Sequence, residues 1–139
     1  MSLVSHHTAV RVRYADTDQM RIVYNGKYLE YFEVGRTELI RSLGLSYAEI
    51  ERRGIWLPLI EAHCRYHHPA RYDDVLIIGS TVRDVPRASL RIDYEITREG
   101  SAAVLVTGYT THAFFNVEQQ RPARPPEFFL RAMGIAFPD

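Results

Sequence analysis

Two aspartates stand two positions apart in the segment Tyr14-Ala15-Asp16-Thr17-Asp18-Gln19, and their type and spacing are the first hint of chemistry in the chain. A carboxylate can act as a general base on water or attack a carbonyl directly. Asp18 is the candidate for that work. The pattern alone fits a turn residue bonding nearby backbone amides at least as well. Asp16 reads as a structural turn acid, with Arg13 or Arg21 as its partner. Two acids this close also repel, which raises one pKa and suits a base. Further on, Asn25-Gly26 stands where a helical pattern begins. Free N–H groups and the positive dipole end of a helix stabilise a developing oxyanion. Asn25 is equally readable as a plain N-cap.

Other reactive side chains point to less. The six histidines invite a metal. However, His6-His7 and His67-His68 are adjacent pairs, which a strand sends to opposite faces, and His63 and His67 would lie about 13 Å apart on a strand. Neither pattern is a zinc ligand set, so no metal site is expected. His112 reads as a strand residue at the sheet surface. Cys64 is the single cysteine and lies in an apolar stretch, so it reads as a small core residue, and no intrachain disulfide can form. Glu33 reads as a surface or interface salt bridge.

The elements that must hold these groups follow from periodicity. His7 to Tyr14 alternates as a strand, and Ala15 to Gln19 is a turn. From Asn25 to Leu43 the pattern is helical, with Tyr28, Phe32, Leu39 and Leu43 on one face and Gly35 among them. A glycine inside a helix costs about 1 kcal/mol against alanine, so Gly35 predicts close packing. Ser46 to Arg53 is a short helix opened by a Ser46/Glu49 capping box. Strands are expected over Trp56 to His67, Val75 to Val85, Ser89 to Thr97 and Ala102 to Val117, then a short helix from Glu127 to Met133. Four strands in succession predict an antiparallel meander covering the apolar face of the long helix. The fold class is therefore α+β, a single domain over residues 1–139 with its core at about 8–118 and a short C-terminal tail.

Composition narrows the function. Seventeen basic and seventeen acidic residues balance to a net charge of zero, and 46% of the 139 residues are apolar. Nucleic-acid-binding domains are usually basic, so no nucleic-acid partner is expected. No stretch reaches the ~18 apolar residues of a membrane span, and Met1 to Val10 lacks the apolar run of a signal peptide. With the lone thiol, this predicts a cytoplasmic protein.

The run Tyr14 to Leu29, with Tyr31-Phe32-Glu33-Val34-Gly35-Arg36-Thr37-Glu38, Pro69-Ala70-Arg71-Tyr72-Asp73-Asp74 and Arg87-Ala88-Ser89-Leu90, resembles the 4-hydroxybenzoyl-CoA thioesterase family of hot-dog proteins. The resemblance covers roughly residues 8 to 118. It implies one long central helix wrapped by a curved, mainly antiparallel five-stranded sheet, and hydrolysis of an acyl-CoA to free acid and CoA. It gives Asp18 the catalytic carboxylate, as general base or nucleophile, and the backbone near Asn25 and Gly26 the oxyanion site. It implies that Arg87 holds a CoA phosphate. Many relatives carry His at the position of Asn25, and Asn25 cannot transfer a proton near neutral pH, which loads more on Asp18. Tyr24 and Tyr28 are the substrate-binding aromatics, although a Tyr/Phe stripe on a helix, with Tyr31 and Phe32, more often belongs to the core. No cofactor is implied beyond the CoA of the substrate. The resemblance also implies a homotetramer, a dimer of dimers, with a homodimer second, in which subunits pair sheet edges along Trp56 to Tyr66 and share each site.

A non-catalytic acyl-CoA binding or sensing module of the same fold is the alternative, and it would need no attacking carboxylate. An enoyl-CoA hydratase is a third reading. Its Asp and His are separated by a few residues, whereas Asp18 to Val23 contains no histidine.

Overall fold

The computed structural model describes residues 2–135; Met1 and residues 136–139, the outermost ends of the expected domain, lie outside them. Strand β1 (Val4–Arg11) leads through a short 3-10 turn at Tyr14–Asp16 to helix α1 (Lys27–Ser42) and helix α2 (Tyr47–Arg52). Then follow β2 (Ile55–Trp56), β3 (Leu59–Tyr66), β4 (Val75–Val82), β5 (Ser89–Arg98), β6 (Val104–Ala113), β7 (Phe115–Asn116), β8 (Arg121–Pro122) and α3 (Glu127–Ala132).

The main sheet has five strands in the order β1-β4-β5-β6-β3, all antiparallel. This corrects the expected four-strand meander. Only β4, β5 and β6 run consecutively; β3 crosses to the far side and pairs with β6, Cys64 opposite Gly108. The long strand expected from Trp56 to His67 is broken at Leu57-Pro58, because proline has no N–H for a ladder. Its first residue, Trp56, instead joins Ile55 as β2 in a separate three-stranded sheet with β7 and β8. The last expected strand breaks likewise at Phe114, whose side chain is fully buried.

The concave sheet face wraps α1. Leu76 and Ile78 of β4, Leu90, Ile92, Tyr94 and Ile96 of β5 and Val106 of β6 are buried. They meet Tyr28, Tyr31, Phe32, Leu39 and Ile40 of the helix, while Leu43 packs partly buried beside them. The expected helical face is thus the buried one. The Phe32 and Tyr94 rings stack at 4.3 Å. Two glycines make the contact close. A Cβ on Gly35 would lie 2.7 Å from Ile78 Cγ2 and 2.5 Å from Ser80 Oγ, and one on Gly108 would lie 2.7 Å from Phe32 Cε2.

Two further expectations change. The core does not stop near residue 118: Phe129 and Met133 are buried, and Phe129 meets Phe114 edge to face at 5.5 Å. His112 is not at the surface but 2% exposed. Its Nδ1 lies 3.2 Å from the Leu57 carbonyl and its Nε2 3.0 Å from Thr110 Oγ1, which is 2.7 Å from the Tyr94 hydroxyl. A carbonyl only accepts, so Nδ1–H donates to Leu57 and Nε2 accepts from Thr110. Burial, chiefly, and the nearby Arg36 cation push the His112 pKa down to about 4.

Candidate active site

Asp18 is held by a narrow two-stranded ribbon. The Tyr24 N–H donates to the Asp16 carbonyl and the Asp18 N–H to the Ile22 carbonyl, each at 2.9 Å, with Thr17 bridged to Val23 between them. The Arg21 N–H closes the turn onto the Asp18 carbonyl at 2.9 Å, with Arg21 at φ 64°. Asp18 Oδ1 accepts from the Met20 N–H at 2.8 Å. This is the Asx geometry anticipated for a turn residue. It occupies one carboxylate oxygen and fixes the rotamer.

Helix α1 begins later than expected. Gly26, not Asn25, takes the N-cap position, with no side-chain cap. Assigned ends differ by a residue or two, and the hydrogen bonds extend the first turn back to Asn25: the Lys27 N–H reaches the Tyr24 carbonyl and the Tyr28 N–H the Asn25 carbonyl, each three residues back, with Gly26 already in helical geometry at φ −68° and ψ −20°. The N–H groups of Asn25 and Gly26 donate to no acceptor among the described residues. The Tyr24 ring lies over Gly26, where a Cβ would come within 2.9 Å of it.

A cleft of about 360 Å³ joins these pieces. Asp18, Tyr24, Asn25 and Tyr28 all line it, together with the apolar side chains of Met20, Ile22 and Val23. Tyr28 is buried and forms part of the wall, its ring 5.5 Å from that of Tyr66, whereas Tyr24 is exposed. Tyr31 and Phe32 lie in the core.

The remaining wall is Tyr66, His67, His68 and Pro69, at and just beyond the end of β3; Pro69 opens one segment of the family resemblance, whereas the other three had no expected place in the site. They reach the cleft because β3 leaves the sheet beside the start of α1: the Val23 N–H donates to the Ala70 carbonyl at 2.8 Å. The Tyr66 hydroxyl is pushed up to about 12, by burial first and then by Cys64. Burial likewise raises the Cys64 thiol, so Cys64 is a poor nucleophile.

Asp16 does not face this cleft. Its buried carboxylate accepts from the Arg13 N–H, the Arg13 guanidinium and the Tyr31 hydroxyl, each at 3.0 Å, and Lys27 Nζ is 3.7 Å away. Burial alone would raise its pKa, but the hydrogen bonds from Arg13 and Tyr31 outweigh that and hold it below the usual range. Arg13 is therefore its partner and Arg21 is not. Arg87 is exposed on the β4–β5 connection and lines a different cavity, of about 470 Å³, with Asp84, Val85, Ala88 and Ser89. Among the described residues no three His, Cys, Asp or Glu side chains gather to hold a metal, and no helix is long and apolar enough to cross a membrane.

Residues 12–133 match the thioesterase-like superfamily. A putative acyl-CoA thioesterase of Bacillus subtilis, YneP, is 40% identical over 75 residues, 54% of this chain and 54% of its own, so the chain spans about half the length of that relative. A hypothetical protein from Thermus thermophilus has the same fold at TM-score 0.84 and 34% identity, over 92% of this chain and 96% of that one. The DHNA-CoA thioesterase of Staphylococcus aureus follows at TM-score 0.80 and 31% identity, over 86% and 80%. The curved sheet closed around one long helix, with an Asp-Xaa-Asp ribbon beside that helix's first turn, is the hot-dog arrangement expected from the motif, and the chain belongs to the thioesterase-like superfamily.

Proposed function

We propose that this chain hydrolyses the thioester of an acyl-CoA to the free acid and CoA. The observation that carries the reading is one apolar cleft lined by both Asp18 and Asn25, the latter at the start of α1 where the N–H groups of Asn25 and of the adjoining Gly26 have no acceptor among the described residues. With the thioester carbonyl oxygen at the Asn25 and Gly26 amides, charge developing on that oxygen meets two donors and the positive end of a 16-residue helix. Asp18 then takes a proton from water while the water oxygen bonds to the carbonyl carbon. Collapse of the adduct breaks the C–S bond, and the proton returns to the CoA thiolate. Attack by Asp18 itself, through a mixed anhydride, uses the same placement. Tyr24 and Tyr28 flank the acyl group, and neither route uses a metal or redox cofactor.

On this reading the active unit is a homotetramer built from edge-paired dimers, with a homodimer as the smaller possibility. Strand β3 supports it: an eight-residue edge strand, exposed almost throughout, carrying Leu59 and Ile60. Such edges are normally covered. Pairing there brings a partner's Arg87 to the Asp18 cleft to hold a CoA phosphate. One cysteine and an acyl-CoA substrate favour the cytoplasm.

The test is free-thiol release from a panel of short, medium, long and aryl acyl-CoAs. Asp18→Asn should lower kcat on the best substrate by about 10²–10⁴ with melting temperature nearly unchanged. Near-normal turnover by that variant sinks the assignment.

A further inference from the structure

The carboxylate with no part in this chemistry is the more buried of the two, and it has more partners. Asp16 is 2% exposed. Its oxygens collect Arg13 on the β1 side and Tyr31 on the α1 side, with Lys27 close by, while its own carbonyl accepts from Tyr24. Three segments that must be aligned for catalysis therefore converge on one residue.

The geometry points to a positioning role: through the Tyr31 hydroxyl, Asp16 fixes the Asp18 ribbon against α1, so that the carboxylate and the Asn25–Gly26 amides keep a set separation. This rests on the thioesterase reading above. Asp18 stands at the far end of a ribbon whose tip is poorly covered; Met20 beside it is 74% exposed. The tip itself has little cover, so its placement depends on what holds the ribbon behind it: the buried Val23, whose N–H reaches the Ala70 carbonyl, and the Asp16 root. At the root, the Asp16–Tyr31 bond spans directly from ribbon to helix, bypassing the intervening turn. Tyr31 lies about one and a half turns beyond Gly26 on the same rigid helix. Losing this bond lets the ribbon tilt, and a misplacement of about 1 Å at reacting groups can cost on the order of 10²-fold in rate.

Tyr31→Phe keeps the ring in the core and removes only the hydroxyl. We expect kcat for the best acyl-CoA to fall about tenfold while KM stays within about twofold, since the walls that bind the acyl group are intact. Asp16→Asn, which also weakens the Arg13 contacts by removing the charge and one acceptor oxygen, should lose more kcat. The control is Ile40→Val, a modest core truncation on the same helix away from the cleft. It should leave kcat per folded protein unchanged, which separates lost alignment from lost stability. Wild-type kcat in Tyr31→Phe, or a loss confined to KM, overturns the inference while leaving the thioesterase reading intact. Absence of turnover by the wild-type protein across the panel would remove that reading and this inference with it.

Discussion

The Tyr66 hydroxyl donates to the main-chain carbonyl of Asn25 at 3.0 Å, tying the end of β3 to the residue that opens the first turn of α1. Both residues line the cleft, and the bond holds the Asn25–Gly26 peptide, whose N–H is one of the two donors in the proposed oxyanion site. Tyr66→Phe should therefore lower kcat about three- to tenfold, with a stability loss no larger than the ~1 kcal/mol of an ordinary hydrogen bond, since the tyrosine is half exposed. Steady-state kinetics alongside thermal melts will show it. Unchanged kcat would mean that the helix start needs no support from β3.

Arg87 and Asp18 line different cavities of one chain, and the proposed CoA contact of Arg87 is made to the site of a second subunit. Arg87→Ala should raise KM for acyl-CoA at least about tenfold and leave an acyl-pantetheine substrate, which lacks the 3′-phosphate, almost unaffected. Light scattering should give a tetramer. Mixing Asp18→Asn with Arg87→Ala subunits should rebuild up to about a quarter of wild-type sites if the two residues meet across an isologous interface. A fully active monomer, or no recovery on mixing, would reject the shared site.

Replacing the helix glycine tests the close packing of α1. Gly35→Ala gains about 1 kcal/mol of helix propensity, but its methyl must displace Ser80 Oγ and Ile78, and overpacking costs about 1–3 kcal/mol. A net loss of about 1 kcal/mol is expected by urea denaturation. Ser80 Oγ is buried with no hydrogen-bond partner among the described residues, so Ser80→Ala should be neutral or slightly stabilising. It should also relieve part of the Gly35→Ala loss.

His112 sets a pH dependence of stability. Its pKa is about 4 when folded, against 6.5 unperturbed, so the unfolded chain binds the extra proton first as pH falls. The neutral ring's contribution is complete above about pH 6.5 and is lost as pH drops towards 4, where it levels off. The span corresponds to about 3 kcal/mol. Urea titrations across that window should show the slope in the wild type and a shallower one in His112→Gln. Equal slopes would mean that carboxylates such as Asp16 account for the whole effect.

Parts of this architecture were legible because they are local. The spacing of Tyr28, Phe32 and Leu39 describes a buried helical stripe, Gly35 announces a close approach, and Asp16-Thr17-Asp18 reads as a turn. What escaped is set by partners distant in the chain. Nothing in Leu59 to Tyr66 states that it will pair with β6 rather than β4; that follows from the sheet curling around α1. His112 looks like any polar residue alternating on a strand until Leu57 and Thr110 meet its two nitrogens. Tyr66, His67 and His68 lie more than forty positions from Asp18, and their only signal was a polar, aromatic strand end directly before Pro69-Ala70.

The strand order carries a consequence for how the molecule comes together. β4, β5 and β6 can zip up as neighbouring hairpins, but β3 must wait for β6, which the ribosome makes some forty residues later. Non-local pairing of that kind is slower than forming adjacent hairpins. β3 should therefore dock after the β4–β6 hairpins and open before them, with its amides exchanging with deuterium ahead of those in β5. During synthesis Asp18 emerges early, yet it remains a lone carboxylate on a turn until the late strand delivers Tyr66 and His67 beside it. On the proposed reading, the cleft around Asp18 is completed only after β6 has been made.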